Sequence, residues 1–586
     1  MKIIKYLLLW PTLLLVLSAC NESAFLEEKS YIYDAETSLL TKEQFQQSLN
    51  YCYNRVRFLH GASDNADVEQ IFFLGTDFQF EIANNWPNGK WNDYKSFVVP
   101  TTGCYNTIWE TLFQIIGNAN LILNRLPNAA EVAEADKGVI RGEALLLRAY
   151  AYRTLAHCWG DVPIVKEEIT TPRRDFVRDD RRSVYEFVRD DLKEAATLLP
   201  AIETARDGQV NVQVAQHLLA EIYLCLGEYQ LAADAATQVI NHPGLGLMTE
   251  RFGTAKDNTI PAVDGSTGDV YWDLFRLNNQ NYSDGNREGL WVLQYSNVSS
   301  DPGNGLKTTL RANALLENII VNGHNLNGEE VTGAKAFYGT SSTSYNANEF
   351  RGGRSNGQAR PTHHFLEEIF DDTDIRGKGL NILRDLRVEN PDLQEKGRWM
   401  IQSGLYTPTT KEELTSANND LRWYYPVITK VYRMFQYEDA LYSPEGTDVY
   451  GSHILLRTDQ SWRMNKDDYA FRLAETYLLR AEAYLNLNQK EKAAADINVL
   501  RTRAQAAPVE ASKVDMDYIL DERLRELYYE ELRAVTLCRL GKLYDRARSY
   551  NIYTARTIEE YHNLWPIPYQ VIERNSEVKW KNNPGY

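Results

Sequence analysis

The segment FLGTDFQFEIANNWPNGKWNDYKSF (residues 73–97) sets Trp86 and Trp91 among Asn84, Asn85, Asn88 and Asn92, with Asp77 a few residues earlier. Indole rings stack on apolar C–H faces, and amides and carboxylates hydrogen-bond hydroxyl groups. This mixture therefore has the chemistry to hold a ligand with both an apolar face and hydroxyl groups. The same rings could equally plug a gap between helices. Candidates for covalent chemistry carry less. Gly353-Arg354-Ser355-Asn356-Gly357 has the form G-x-S-x-G, but a nucleophile elbow needs an apolar strand before it and a helix after it. Here NANEFRG precedes and QARP follows. His363 and His364 are followed by Glu367 and Glu368. Adjacent histidines point apart on a helix, which leaves one His and one Glu for any metal. DGSTGD (264–269) offers the Asp and carbonyl oxygens that a calcium ion takes. No HExxH, Walker loop or dinucleotide glycine fingerprint occurs. A glycosidase needs two carboxylates about 5–10 Å apart, and no hydrolase motif frames any pair among the 80 acidic residues.

A different chemistry sits at the N-terminus, where LLLVLSACNES (13–23) ends an apolar run at a cysteine. Lys2 and Lys5 precede the run from Tyr6 to Leu17, and the small residues Ser18 and Ala19 close it, as in a secretory signal. The run is too short to span a bilayer, which takes roughly 20 apolar residues. Leu17-Ser18-Ala19-Cys20 resembles the bacterial lipobox, in which the cysteine is lipidated and becomes the new N-terminus. The expectation is a signal peptide over 1–19 and a mature chain tethered to a membrane through Cys20 alone.

The remaining composition fits a large water-exposed body on that tether. The chain has 586 residues, a net charge of -17 and a mean hydropathy of -0.45. Such acidity argues against nucleic acid, which wants a basic face. Cys52, Cys104, Cys158, Cys225 and Cys538 are scattered and lack any CxxC, so they form neither a disulfide framework nor a zinc site.

Helical periodicity dominates both ends of the chain. In 211–241, Leu219, Ile222, Tyr223 and Leu226 recur at helical spacing before Gly227, and an Ala-rich second helix follows. Ala220, Glu221, Tyr223, Leu224, Leu226, Ala232 and Ala233 recur as Ala481, Glu482, Tyr484, Leu485, Leu487, Ala493 and Ala494, with Asn488 in place of Gly227. This pattern resembles the tetratricopeptide helix pair. Further helices are predicted over 104–126, 138–158, 182–199 and 517–540. Between about 243 and 465, Gly, Asn, Ser, Asp and Thr cluster as loops, where binding surfaces usually sit.

Several segments together resemble the SusD/RagB family of surface glycan-binding lipoproteins. They are GEALLLRAYAYRTLAHCWGDVPIV (142–165), YAFRLAETYLLRAEAYLNL (469–487), AAADINVLRTRA (493–504), ILDERLRELYYEELRAVTLCRLGKL (519–543) and LWPIPYQVIERNSEVKWKNNPGY (564–586). Leu532 and Ala534 to Leu537 depart from the family's G-x-R-W-F-D-L, and Asn582 stands where Gln is common. The resemblance implies a mainly α fold: a superhelix of four tetratricopeptide-like helix pairs with a large irregular insertion. It implies one domain over 20–586, with a helical scaffold at about 30–242 and 466–545, loops at 243–465 and an extended segment at 546–586. It implies a non-catalytic, cofactor-free binder of oligosaccharide, set on the cell exterior as the lid of a SusC-like TonB-dependent β-barrel transporter. Relatives on this architecture that carry peptide or another nutrient keep that alternative open, and a surface hydrolase is the third. The ligand-binding residues expected by position are Trp86, Trp91, Asn88 and Asp77, with Tyr338, Tyr345 and Trp399 from the loop-rich region. Trp272 is expected to be buried, and Trp291 to lie in a short strand.

Overall fold

Apolar residues at three- and four-residue spacing build the helices, and polar caps set their ends. Helix α1 (Lys42–Leu59) buries Phe45, Leu49, Cys52, Val56 and Leu59. It starts at Thr41, whose hydroxyl accepts from the Gln44 N–H while the Gln44 side chain accepts from Thr41, a capping box. The computed structural model describes residues 39–586 apart from 62–65, 83–88, 296–315, 317–318, 338–347, 352–356, 409–419, 436, 438 and 457–465. Cys20, Trp86, Asn88, Tyr338, Tyr345 and Ser355 therefore lie outside the described residues.

Helices α2 (Gly103–Arg125), α3 (Glu134–Trp159), α4 (Arg181–Leu198), α5 (Val212–Leu226) and α6 (Tyr229–Ile240) follow in order. After the loop-rich region come α7 (Leu473–Asn486) and α8 (Lys490–Arg503). Helix α1 packs on α2, α3 on α4, α5 on α6 and α7 on α8, and each pair touches the next. The result is a superhelical stack of four helix pairs in which α6 meets α7 directly, so the long insertion leaves the stack and returns to the same place. The internal repeat is in register: Val212 and Tyr229 begin helices where Leu473 and Lys490 do. Gly227 and Asn488 both take left-handed backbone at the turn, with φ of 78° and 58°.

Five two-stranded antiparallel sheets occur among the described residues: β1 (Gln79–Glu81) with β5 (Ala359–Pro361), β2 (Gly289–Leu293) with β10 (Asp468–Arg472), β3 (Ile320–His324) with β4 (Glu330–Lys335), β6 (Ile382–Leu383) with β7 (Val427–Ile428), and β8 (Tyr442–Thr447) with β9 (His453–Leu455). Trp291 lies in β2, and Trp272 is fully buried.

Two expectations need correction. The helix predicted over 517–540 is two helices, α9 (Met516–Leu527) and α10 (Arg533–Arg539), because Tyr529 adopts φ 62° and turns the chain. The turn brings Glu530 onto Arg472 at 2.7 Å and Glu531 onto Arg523 at 2.9 Å, contacts that a continuous helix would aim elsewhere. The C-terminal segment is not extended throughout 546–586: it carries the end of α11 (Leu543–Tyr550) and a short helix at Tyr569–Arg574, with an extended stretch at 565–568 between them. That extended stretch is held by the Trp565 N–H donating to the Cys158 carbonyl at 2.6 Å and the Ile567 N–H to Asn582 at 2.9 Å.

Charged residues of α9 lie inside the molecule. Arg376 of the loop-rich region donates to Glu522 at 2.8 Å and Glu526 at 2.9 Å, and Lys430 meets Glu530 at 2.5 Å. From the scaffold side, Arg472 reaches Glu288, Glu526 and Glu530, and Arg503 reaches Glu288 and Glu526. Arg539 of α10 pairs bidentately with Glu482 and lies 3.5 Å from Glu221, joining the two equivalent glutamates of the repeat.

These environments set the acid response. Burial alone would raise Glu522, but Arg376, Arg525 and Arg501 outweigh it and hold the carboxyl down at about 2. Its contribution is complete above its ordinary 4.5 and is lost as pH falls toward 2. Burial lowers His60, His157 and His217 to about 3 and His562 to about 4, so each costs stability as pH falls below the unfolded histidine value. Burial raises Glu81 to about 7 and Asp269, Asp448 and Asp468 to about 6, so the penalty of ionising them is relieved over the same interval. Urea unfolding should therefore show nearly level stability from about pH 7 to about pH 5, where the two sets oppose, and a steep loss below about pH 4.5. A steep loss already complete by pH 5 would contradict this assignment.

Candidate functional site

Strand β1 pairs with β5 so that Phe80 faces Arg360 and Glu81 faces Ala359, and the Ile82 N–H donates to the Gln358 carbonyl at 2.9 Å. The chain then enters residues 83–88 and re-emerges at Gly89. The neck of this segment is fastened from both sides. The Glu81 N–H donates to the Asn92 carboxamide at 3.0 Å, the Asn92 amide returns to the Glu81 carbonyl at 2.7 Å, and the Trp91 N–H donates to the Glu81 carboxylate at 3.0 Å. Residues 83–88, which include Trp86 and Asn88, follow in sequence on the strand that pairs with β5.

The other expected residues are placed differently. Trp91 is 3% exposed, edge-on to Phe97 with ring centroids 4.6 Å apart, and fills the core below the segment. Asp77 is fully buried; Arg533 donates to it at 2.9 and 2.6 Å and Arg546 at 2.8 Å. Burial would raise Asp77, but these guanidinium groups hold it well below the usual carboxylate range. Neither residue presents its side chain to solvent, which corrects their reading as ligand contacts: one packs a core and the other closes an ion pair. Trp399 is half-buried, with the Arg387 guanidinium 4.7 Å over its ring and Tyr450 against it at 6.2 Å, so its partners are already within the protein.

A pocket of about 170 Å³ opens beside β5, lined by Arg360, His363, Glu367, Arg384, Tyr424 and Tyr425 with several apolar neighbours. The Tyr425 hydroxyl donates to the Ala359 carbonyl at 2.7 Å and that of Tyr424 to the Arg384 carbonyl at 2.5 Å, so both rings are fixed. One wall is a π-helical turn, His364–Glu368, a backbone irregularity that often marks functional sites. It turns His363 and Glu367 toward the pocket, while His364 stacks on Tyr550 at 3.7 Å and hydrogen-bonds Glu368 at 2.9 Å and Asp521 of α9 at 3.0 Å. Both histidines reach the Glu368 carboxylate, His364 at 2.9 Å and His363 at 3.8 Å, while His363 also lines the pocket. Sequence reasoning missed Arg360, Arg384, Tyr424 and Tyr425; the run Tyr424-Tyr425-Pro426 in a loop-rich region was the available signal.

A larger trough of about 740 Å³ runs along α2 and is floored by Trp109, Phe113 and Trp580. Its polar rim is largely paired already: Glu110 with Arg574 at 2.8 Å, Arg125 with Glu168 at 2.6 Å, Arg173 with Asp175 at 2.9 Å and Asn118 with Ser48 at 3.0 Å. In 264–269, the Asp264 carboxylate accepts from the Ser266 N–H and hydroxyl, and Asp269 caps Trp272 and accepts from Asn381. Among the described residues no three His, Cys, Asp or Glu side chains converge as a metal site.

Two family descriptions match the chain: "starch-binding associating with outer membrane" over residues 24–224 and "SusD family" over residues 324–586. The chain belongs to the SusD/RagB family. Its SusD-like relatives include SusD-like protein P25 of Formosa agariphila, 24% identical over 80% of this chain and 76% of that protein. They also include the starch-binding protein SusD of Bacteroides thetaiotaomicron, 34% identical over 20% of this chain and 21% of that one. The SusD fold is shared with a solved laminarin-binding SusD-like protein, at TM-score 0.62 and 20% identity over 94% of this chain and all of the other. Surface glycan-binding protein A of B. thetaiotaomicron in complex with laminarihexaose matches at TM-score 0.62 and 16% identity over 93% and 99%.

The burial of Asp77 and Trp91 has a measurable consequence. Asp77→Ala leaves two buried guanidinium groups short of a counter-ion and should cost about 3–5 kcal/mol of stability. Trp91→Ala should cost a similar ~3–5 kcal/mol as a core truncation. Both effects should appear in urea unfolding. Full stability with weakened ligand binding in either variant would return that residue to the site.

Proposed function

We propose that the protein is a cell-surface glycan-binding lipoprotein. In this reading Cys20 carries the lipid, the loop face captures an oligosaccharide, and a SusC-like TonB-dependent β-barrel receives it. The observation that carries the reading is the pocket beside β5, the strand that pairs with β1. Strand β1 leads in sequence into residues 83–88, which include Trp86 and Asn88, in a family whose members include proteins described as starch-binding and laminarin-binding. Sugar recognition combines a stacking ring with convergent hydrogen-bonding groups, and the segment and pocket supply both types. The relatives are described as binding proteins, in keeping with a non-catalytic role. Among the described residues no helix is long and apolar enough to cross a membrane. Passage of a captured sugar then falls to a partner, and a tether keeps the binder at high local concentration beside it.

Titration of the chain from Asn21 onward with a glycan panel tests the capture step. Trp86→Ala should weaken binding by roughly 1–3 kcal/mol with an unchanged circular dichroism spectrum. Unaltered affinity, or hydrolysis of the glycan during the titration, would overturn the reading. Purification from native membranes in mild detergent tests the delivery step. A barrel should co-purify, and Cys20→Ala should release the chain from the membrane fraction.

A further inference from the structure

The trough along α2 is apolar where the loop-face pocket is charged. Trp109, Phe113, Val165 and Trp580 line it, and Tyr51 and Ile169 stand on its edge with 42% and 47% of their surfaces exposed. Most of its polar groups are matched within the protein. Ion pairs occupy the charges of its rim, and the Trp580 indole N–H donates to the Phe176 carbonyl at 2.8 Å. The Asn120 carboxamide donates to the Val165 carbonyl at 2.9 Å and accepts from Arg148 at 2.8 Å. A hydroxyl-rich ligand would find few partners here, whereas apolar side chains would displace water from about 740 Å³ of aromatic-walled space. An exposed apolar patch with a polar rim marks a docking site.

The chain itself supplies an occupant. Residues 21–38, NESAFLEEKSYIYDAETS, lie outside the described residues and hold Phe25, Leu26, Tyr31, Ile32 and Tyr33 among charged and small polar side chains. The family description that matches residues 24–224 takes in Phe25 and Leu26 together with the helical scaffold. The segment ends at Leu39, just before α1, and α1 carries Tyr51 to the trough edge. Ser48 of α1 donates to Asn118 of α2 at 3.0 Å, so α1 runs beside the α2 residues that line the trough. Along α1, Lys42 is about 14 Å from Tyr51. The chain from Leu26 to Leu39 can reach about 40 Å. We propose that residues 21–38 dock in this trough through Phe25 and Leu26, covering the aromatic floor with a segment of the same chain. Attachment makes a modest intrinsic affinity sufficient, because the effective concentration beside the trough is on the order of millimolar. With Cys20 as the anchor proposed above, docking at Phe25 leaves only Asn21 to Ala24 between anchor and body. The trough face then lies next to the membrane. The docking itself does not depend on the glycan-binding reading.

The test is thiol labelling of the full-length chain, purified in mild detergent and carrying Ile169→Cys on the trough edge. Peptide mass spectrometry reads the maleimide at position 169 separately from the native cysteines. Val499→Cys, at a 40% exposed position on α8, serves as the control. Phe25→Ser with Leu26→Ser should speed labelling at 169 about fivefold or more and leave position 499 unchanged. A synthetic peptide of residues 21–38, at millimolar concentration, should slow labelling again in that variant. An unchanged rate at 169 after the two serine substitutions overturns the inference, as does a peptide that leaves the variant's rate unaltered. Protection that grows with protein concentration overturns it by giving the trough to a second copy. Protection that appears only with saturating laminarihexaose overturns it by giving the trough to a sugar.

Discussion

Ion pairing inside the protein is the constraint on which the other parts depend. Helix α9 places Glu522, Arg523, Arg525 and Glu526 in the interior; Arg501, Glu475 and Arg376 reach Glu522, Arg523 and Glu526 from elsewhere in the chain, and Arg525 pairs with Glu522 on the same helix and donates to the Ile369 carbonyl at 2.8 Å. Arg376 and Lys430 come from the loop-rich region, Arg472 and Arg503 from the scaffold, and Glu288 from the strand that pairs with β10 or its approach. Desolvating such charges is expensive, and a buried pair adds little net stability over an apolar substitute of similar shape. Losing one partner, in contrast, strands the other. The arrangement therefore ties the docking of loops on helices to these pairings, since a shifted docking would separate the partners.

The functional face inherits its geometry from this network. Asp521 of α9 holds His364, which holds the π-helical turn, which sets His363 and Glu367 on the pocket rim. Arg546 joins Asp521 to Asp77, and Arg533 joins Asp77 to α10. Asp77 in turn precedes β1, whose pairing with β5 positions Arg360 and the departure of residues 83–88. Buried residues away from the pocket thus decide where its rim groups stand.

The scaffold was legible in the sequence, and the site only in part. The repeat beginning at Val212 and Leu473 announced itself because helix pairs need small residues at their contact and a left-handed turn between them, which Gly227 and Asn488 supply. The break at Tyr529 gave no such sign, since tyrosine rarely adopts positive φ and the turn is enforced by the distant partners of Glu530 and Glu531. Trp91 reads the same in sequence whether it stacks on a sugar or on Phe97, and only the packing distinguishes them. Arg360, Arg384 and Tyr424 become neighbours through β-pairing and long loops, a proximity that local spacing does not encode.

Two concave surfaces of different character coexist: the small charged pocket on the loop face and the large aromatic trough along α2. The account places capture at the first, where a π-helical turn and oriented guanidinium groups meet beside the β1–β5 pair. Hydrogen–deuterium exchange of the protein with and without a saturating bound oligosaccharide decides between them most directly. The account predicts ligand-dependent protection in peptides spanning 79–92, 357–367 and 421–426, with helix α2 unchanged. Protection confined to peptides containing Trp109, Phe113 and Trp580 would contradict it.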